Sequence, residues 1–340
     1  MPHRNDIMLS YNIQVVKPMW WMIPAALLAA SLFLCYISFY KSFYASNKKP
    51  ADPYTPMRGP QYQEVRAQMH ANTKVMEAAS FEGVYITSFD GTRLFGRYYH
   101  HRDGAPLIIF FHGYRSMALR DGAGGFGLAK KLGLNILAVD QRAHGHSGGH
   151  VITFGVKEQK DCLAWAQYAA ARFGNTVPII LSGLSMGAAT VIMATALPLP
   201  ETVCCVIADC PYSTPREIIQ KVAKDLGFSG ALSYPVLWFG ARVFGGFDLG
   251  AKGAAEAAVT CQIPALILHG EDDRLVPCEM GRKIAAASNG CIKIETFPDA
   301  GHGLSFLIDP TRYEKEYAAF LRSVPALASH FVAEDAAVDV

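Results

Sequence analysis

The stretch Ile179-Ile180-Leu181-Ser182-Gly183-Leu184-Ser185-Met186-Gly187-Ala188-Ala189 decides how this chain is read. Its opening apolar run, bounded by Pro178 and Gly183, reads as a buried strand, and the run from Met186 to Ala196 favours a helix. Between them stands Gly-x-Ser-x-Gly. Glycines flanking a serine at a strand-to-helix junction permit a sharp, strained turn that lifts the hydroxyl above the sheet. The helix start behind it offers unpaired N–H groups and a positive dipole end. The bare pattern recurs by chance, and a purely structural turn is the alternative. In this setting the expected role of Ser185 is nucleophile.

A serine hydroxyl is a weak nucleophile until a base accepts its proton. Downstream, Asp299-Ala300-Gly301-His302-Gly303 follows an apolar run ending at Phe297, and a histidine between glycines there can swing over the sheet. His302 is the expected base. The imidazole needs an acid to fix its tautomer, and His269-Gly270-Glu271-Asp272-Asp273 sits at the end of the preceding strand. Three adjacent acids compete. Asp273 is favoured, with Asp272 expected as a cap or ion-pair partner and Asp209, after its own strand, a more distant candidate. The tetrahedral oxyanion needs two donors already in place. The Met186 N–H should supply one and Tyr114 N–H, from Phe111-His112-Gly113-Tyr114-Arg115, the other, with His112 holding that loop.

Outward from this centre, strands and helices alternate. Val84–Phe89 and Leu94–Tyr99 flank Asp90-Gly91, a hairpin signal. Leu107–Phe111, Asn135–Val139, Val203–Ala208, Ala265–Leu268 and Ile292–Phe297 are short apolar runs separated by stretches that include Lys157–Arg172. A hairpin followed by repeated β-α units predicts a mostly parallel sheet covered by helices on both faces. Residues 212–260 break the rhythm and read as a small helical lid inserted over one end of the sheet. Its Trp238, Phe239, Phe244 and Phe247 fit either a substrate-facing surface or core. Tyr62, Val65, Met69, Asn72 and Met76 recur every three to four residues, the stripe of a helix packed on the domain.

The 340 residues are 51% hydrophobic and 18% charged, with a net charge of +2. That composition excludes a disordered chain and leaves no basic field for nucleic acid. From Met19 to Tyr40 there is no charged side chain, a run matching the about 20 residues that cross a bilayer. Trp20 and Trp21 at one end and Tyr36, Tyr40 and Tyr44 toward the other fit aromatic belts. A retained single-pass anchor over 19–44 in the cell membrane is expected, with a cleaved signal or a core helix as alternatives. Arg4 and Lys17 against Lys41, Lys48 and Lys49 do not decide which side the remainder faces. The organisation expected is a polar start (1–18), the anchor, a linker (45–60), one domain (61–325) and a loose tail (326–340).

The eight cysteines are scattered without a C-x-x-C pair, as buried free thiols would be. Gly122-Ala123-Gly124-Gly125-Phe126-Gly127 satisfies G-x-G-x-x-G, but about ten residues separate it from the strand it should follow directly, so no dinucleotide site is expected. His144-Gly145-His146 has no acidic ligand among its residues, and no metal is expected there.

Taken in order, HGYRS, DQRAHGHS, GLSMG, HGEDDRLVP and AGHG resemble the α/β-hydrolase superfamily. More closely they are similar to bacterial membrane-anchored members related to serine aminopeptidase S33-like and BAAT-like hydrolases. The resemblance implies an α/β-hydrolase fold, the triad Ser185, Asp273 and His302, bracing by Asp140, Arg142 and His144, and no cofactor. Because Ser185 stands where dehalogenases and dienelactone hydrolases carry Asp or Cys, it disfavours both chemistries. The expected activity is carboxylic ester hydrolysis on a small, partly apolar substrate. Aminopeptidase, thioesterase and acyltransferase activities use the same triad, and a non-catalytic membrane-tethered binding module is a further alternative.

Overall fold

The structure is a computed structural model that describes residues 5–45, 52–55 and 59–331, with side chains from residue 22 onward. Residues 1–4, most of the expected linker (46–51 and 56–58), the tail from 332, and the side chains of Trp20 and Trp21 lie outside the described residues.

The chain opens with α1 (Asn5–Phe43) and α2 (Arg66–Ala78), then the hairpin β1 (Glu82–Thr87) and β2 (Arg93–Tyr99). There follow β3 (Leu107–Phe111), α3 (Ala118–Asp121), α4 (Ala123–Lys131), β4 (Asn135–Asp140), α5 (Glu158–Phe173), β5 (Ile179–Leu184), α6 (Met186–Ala194) and β6 (Val203–Asp209). The remainder is α7 (Pro215–Asp225), α8 (Gly230–Phe244), α9 (Ala254–Ala258), β7 (Ala265–Gly270), α10 (Cys278–Ala287), β8 (Ile292–Phe297), α11 (Ser305–Ile308) and α12 (Pro310–Ser323).

Eight strands form one sheet in the order β1-β2-β4-β3-β5-β6-β7-β8. β1 and β2 pair antiparallel, as do β2 and β4, and every later pairing is parallel. The parallel strands read as unbroken apolar runs because both faces are covered. Ile109 and Leu181 point into one core with α5, α6 and α9, while Ile108 and Ile180 point into the other with α2, α4 and α12. Ligands of such sheets bind in crevices beyond the carboxyl ends of the strands, and the expected site residues follow β3, β5, β7 and β8.

The first helix, α1, runs unbroken from Asn5 to Phe43, so Pro24 lies well inside it. Within it, Met22–Phe43 has a mean hydropathy of 2.0, long and apolar enough to cross a membrane. The insertion is helical, and α8 and the turn after it pack against α1. Phe244 stacks edge-on to Tyr36 with ring centroids 5.3 Å apart, Phe247 meets Phe43 at 5.3 Å, and a Cβ on Gly240 would come 2.7 Å from the Cys35 carbonyl.

Candidate active site

Ser185 is the cap residue between β5 and α6, with φ 56° and ψ −112°, a region costly for any residue with a side chain. Close packing holds it there. A Cβ on Gly183 would collide with the Gly187 backbone, and one on Gly187 with the Phe111 carbonyl at the end of β3. Both glycines of the motif are therefore demanded by space. The Ser185 N–H donates to the Asp209 carbonyl at 2.8 Å, which locks the turn to β6.

His302 reaches the serine from the loop after β8. The loop reverses through left-handed conformations at Asp299 (φ 61°) and Gly303 (φ 65°). A Cβ on Gly270, at the end of β7, would collide with the Ala300 carbonyl, so glycine lets the two loops touch. The Ser185 hydroxyl lies 2.9 Å from His302 Nε2, and His302 Nδ1 lies 2.7 Å from Asp273 Oδ2. Both His302 and Asp273 are buried. A carboxylate at Nδ1 places the ring proton there and leaves Nε2 as an acceptor for the hydroxyl proton. The Tyr62 hydroxyl donates to the His302 carbonyl at 3.0 Å and fixes the loop from the N-terminal side. Sequence reading missed that contact, which spans most of the domain.

Of the three adjacent acids, only Asp273 turns inward. Its Oδ1 accepts the N–H groups of Leu275 at 2.9 Å and Val276 at 2.8 Å. His269 Nε2 stands 3.5 Å from Oδ2 and donates to the Val276 carbonyl at 2.9 Å. Burial works to raise the Asp273 carboxyl, but the two histidines and the Val276 amide outweigh it and hold the group well below the usual carboxylate range. Asp272 is exposed, and among the described residues its side chain makes neither the cap nor the ion pair expected; its backbone N–H donates to Ala300. Asp209 accepts the Tyr313 hydroxyl at 3.0 Å and makes no hydrogen bond to His302.

The two backbone amides expected as donors belong to segments that adjoin Ser185. Met186 opens α6, where an N–H has no intrahelical acceptor. On the β3 loop, a Cβ on Gly113 would lie 3.5 Å from Ser185 Cβ, so the loop passes directly beside the nucleophile position. The Gly113 N–H is taken by Asp121 Oδ2 at 2.8 Å, which leaves Tyr114 as the next amide along the loop.

Two buried imidazoles shape that loop. His112 Nδ1 donates to the Gly113 carbonyl at 2.8 Å, and its Nε2 accepts the Gln141 N–H at 3.0 Å. His144 Nε2 accepts the Arg115 N–H at 3.0 Å, and its Nδ1 donates to the Arg142 carbonyl at 2.9 Å. Burial pushes His112 down, and burial together with the neighbouring His112 pushes His144 down to about 3. Both are held neutral by structure. Arg142 clamps Asp161 through two 2.6 Å hydrogen bonds, so this block braces the fold behind the loop. His146 lies 3.3 Å from Asp140.

A cavity of about 290 Å³ opens from Ser185 and His302. It runs between the sheet and the layer of α2, α4 and α12. No residue of the expected lid, 212–260, lines it. The glycine run set aside as a nucleotide motif is helical and forms one wall.

Residues 108–316 match the model of the alpha/beta hydrolase family, and the chain belongs to that family. It is 25% identical over 250 residues to the uncharacterized protein YqkD of Bacillus subtilis, covering 71% of this chain and 81% of that one. It is 26% identical over 286 residues to the bifunctional esterase/perhydrolase DCH of Acinetobacter calcoaceticus, covering 70% and 99%. Among solved structures, the Pyrococcus furiosus esterase Pf2001 superposes with a TM-score of 0.62 at 22% identity, covering 83% of this chain and 98% of that one. This last likeness concerns the fold.

Proposed function

We propose that the protein is a serine hydrolase that cleaves carboxylic esters through an acyl-enzyme. The observation that carries the reading is the unbroken chain from the Ser185 hydroxyl to His302 Nε2 (2.9 Å) and from Nδ1 to Asp273 (2.7 Å), with the serine held on a strained turn. In this reading, Ser185 Oγ attacks the ester carbonyl carbon while His302 Nε2 takes the hydroxyl proton. The Met186 and Tyr114 N–H groups hold the oxyanion. His302 returns the proton to the leaving alkoxide, which departs as the alcohol. Water, deprotonated by the same nitrogen, then attacks the acyl-enzyme and releases the acid and Ser185. No step calls on a cofactor or metal. The name of one relative, a bifunctional esterase/perhydrolase, supports the ester class.

The same reading places α1 in the cell membrane as a single retained span. Its apolar length supports this, and so does its seating. Cys35 to Tyr44 pack on α8 and on the loop after β3, contacts that removal of a signal sequence would destroy. Retention of the full chain in carbonate-washed membranes is the expected result; release into the wash would refute the span.

Ser185→Ala tests the chemistry. The variant should keep the fold and lose p-nitrophenyl ester turnover by about 10⁴-fold or more. Wild-type turnover in that variant would defeat the proposal.

A further inference from the structure

The stripe Tyr62, Met69, Asn72 and Met76, legible in the sequence only as a packing face, lines the cavity behind Ser185. We infer that this cavity is an acyl site, that α2 is the element that sets the length of chain it takes, and that the substrate class is an ester of a straight, medium-length saturated acid. The inference rests on the serine hydrolase reading and deepens it.

Three walls define the space. The sheet contributes Ile108, Ile136, Ala138 and Ile207. α4 contributes Ala123, Gly124, Gly125, Phe126 and Ala129. Glycine inside a helix costs about 1 kcal/mol relative to alanine; here a Cβ on Gly124 would press on Phe306, while one on Gly125 would meet nothing within 4 Å. The third wall is α2. It lies along the cavity from the reaction centre outward: Tyr62, just before the helix, bonds the His302 carbonyl, Met69 packs with Tyr62 and Leu304, and Met76 belongs to the distant core cluster of Tyr99 and Phe126. At 1.5 Å per residue, Met69 to Met76 spans about 10 Å.

An acyl chain of about eight carbons matches the roughly 10 Å length of the α2 wall. Thioether side chains at both ends of the wall suit a flexible alkyl ligand. α2 also lies outside the region that matches the family, which begins at residue 108. Selectivity would thus come from the segment between α1 and the hairpin.

The experiment measures kcat/KM for p-nitrophenyl esters from acetate to myristate, together with labelling rates for alkyl fluorophosphonates of graded chain length. Full-length wild type should peak near octanoate. Met69→Trp, at a half-buried position, should lower the octanoate-to-acetate ratio about tenfold or more, while Met76→Ala should move the peak to longer chains. The two variants push in opposite directions, so loss of folding in one leaves the other decisive. A wild type that labels and turns over with no chain preference, or variants that keep the wild-type profile, overturn the acyl site and leave the serine hydrolase reading standing. A wild type with neither labelling nor turnover overturns both.

Discussion

The Tyr114 hydroxyl donates to the Ser42 carbonyl at 2.7 Å, tying the loop beside the nucleophile position to the last turn of α1. Arg115 completes the tie. Its Nε donates to the Tyr114 hydroxyl at 2.6 Å, and its Nη2 reaches the Lys41 carbonyl at 2.8 Å and the Tyr44 carbonyl at 3.0 Å. A helix ends with carbonyls that have no intrahelical donor, and here a loop of the catalytic face supplies the donors. Arg115 does so from a left-handed conformation, φ 50°.

Tyr114→Phe removes this hydroxyl and leaves the backbone N–H in place. The expected cost is about 1 kcal/mol of stability, with turnover reduced less than about tenfold because the proposed oxyanion donor is retained. Thermal unfolding and steady-state kinetics check both numbers. A drop as large as that of Ser185→Ala would mean the phenol itself takes part in the chemistry.

Asp273 has a folded-state pKa below its unfolded value, so its contribution to stability is complete above the ordinary carboxylate range and is lost only as acid carries the pH beneath it. The stability gap between wild type and Asp273→Asn should therefore be flat from about pH 5 to 8 and close below about pH 4. Denaturant melts across that range measure it. Turnover of the variant should fall by about 10²-fold or more at every pH, since an amide cannot hold the ring in the same tautomer.

His144 carries the same sign in a higher pH window. Its unfolded form takes up a proton near pH 6.5, whereas the folded form resists until about 3. Between those values the unfolded state binds more protons, so stability falls as the solution is acidified, by up to about 1.4 kcal/mol per pH unit. His144→Gln should lose about 1 kcal/mol at pH 7.5 through poorer hydrogen bonding yet show a shallower loss between about pH 6.5 and 4. Equal acid slopes in the two proteins would contradict a buried neutral imidazole.

Much of this molecule could be read before any coordinates. The strands were visible because each buried run ends at a residue that turns the chain or carries chemistry, as Leu181 gives way to Gly183 and Ile267 to His269. The order of Ser185, Asp273 and His302 followed from placing each at a strand's carboxyl end, and the structure brings the three within hydrogen-bond reach. What escaped was the identity of packing partners. The aromatic residues of α8 fit either a substrate-facing surface or core, and nothing local showed that Phe244 would meet Tyr36 of α1. The stripe on α2 announced an inner face but not that a cavity lies under it, since that depends on how α2, α4 and the sheet sit against one another. Arg115 showed no local signal, because its acceptors are backbone carbonyls about seventy residues upstream.

Peptide mapping by mass spectrometry after treatment with a fluorophosphonate tests the central claim most directly. Attack by an activated serine expels fluoride and leaves one phosphonyl group on the protein. A single adduct on Ser185, absent from Ser185→Ala and slowed by about 10³-fold or more in His302→Ala, is the predicted result. An adduct on another residue, or labelling of Ser185 at an unchanged rate without the imidazole, would contradict it.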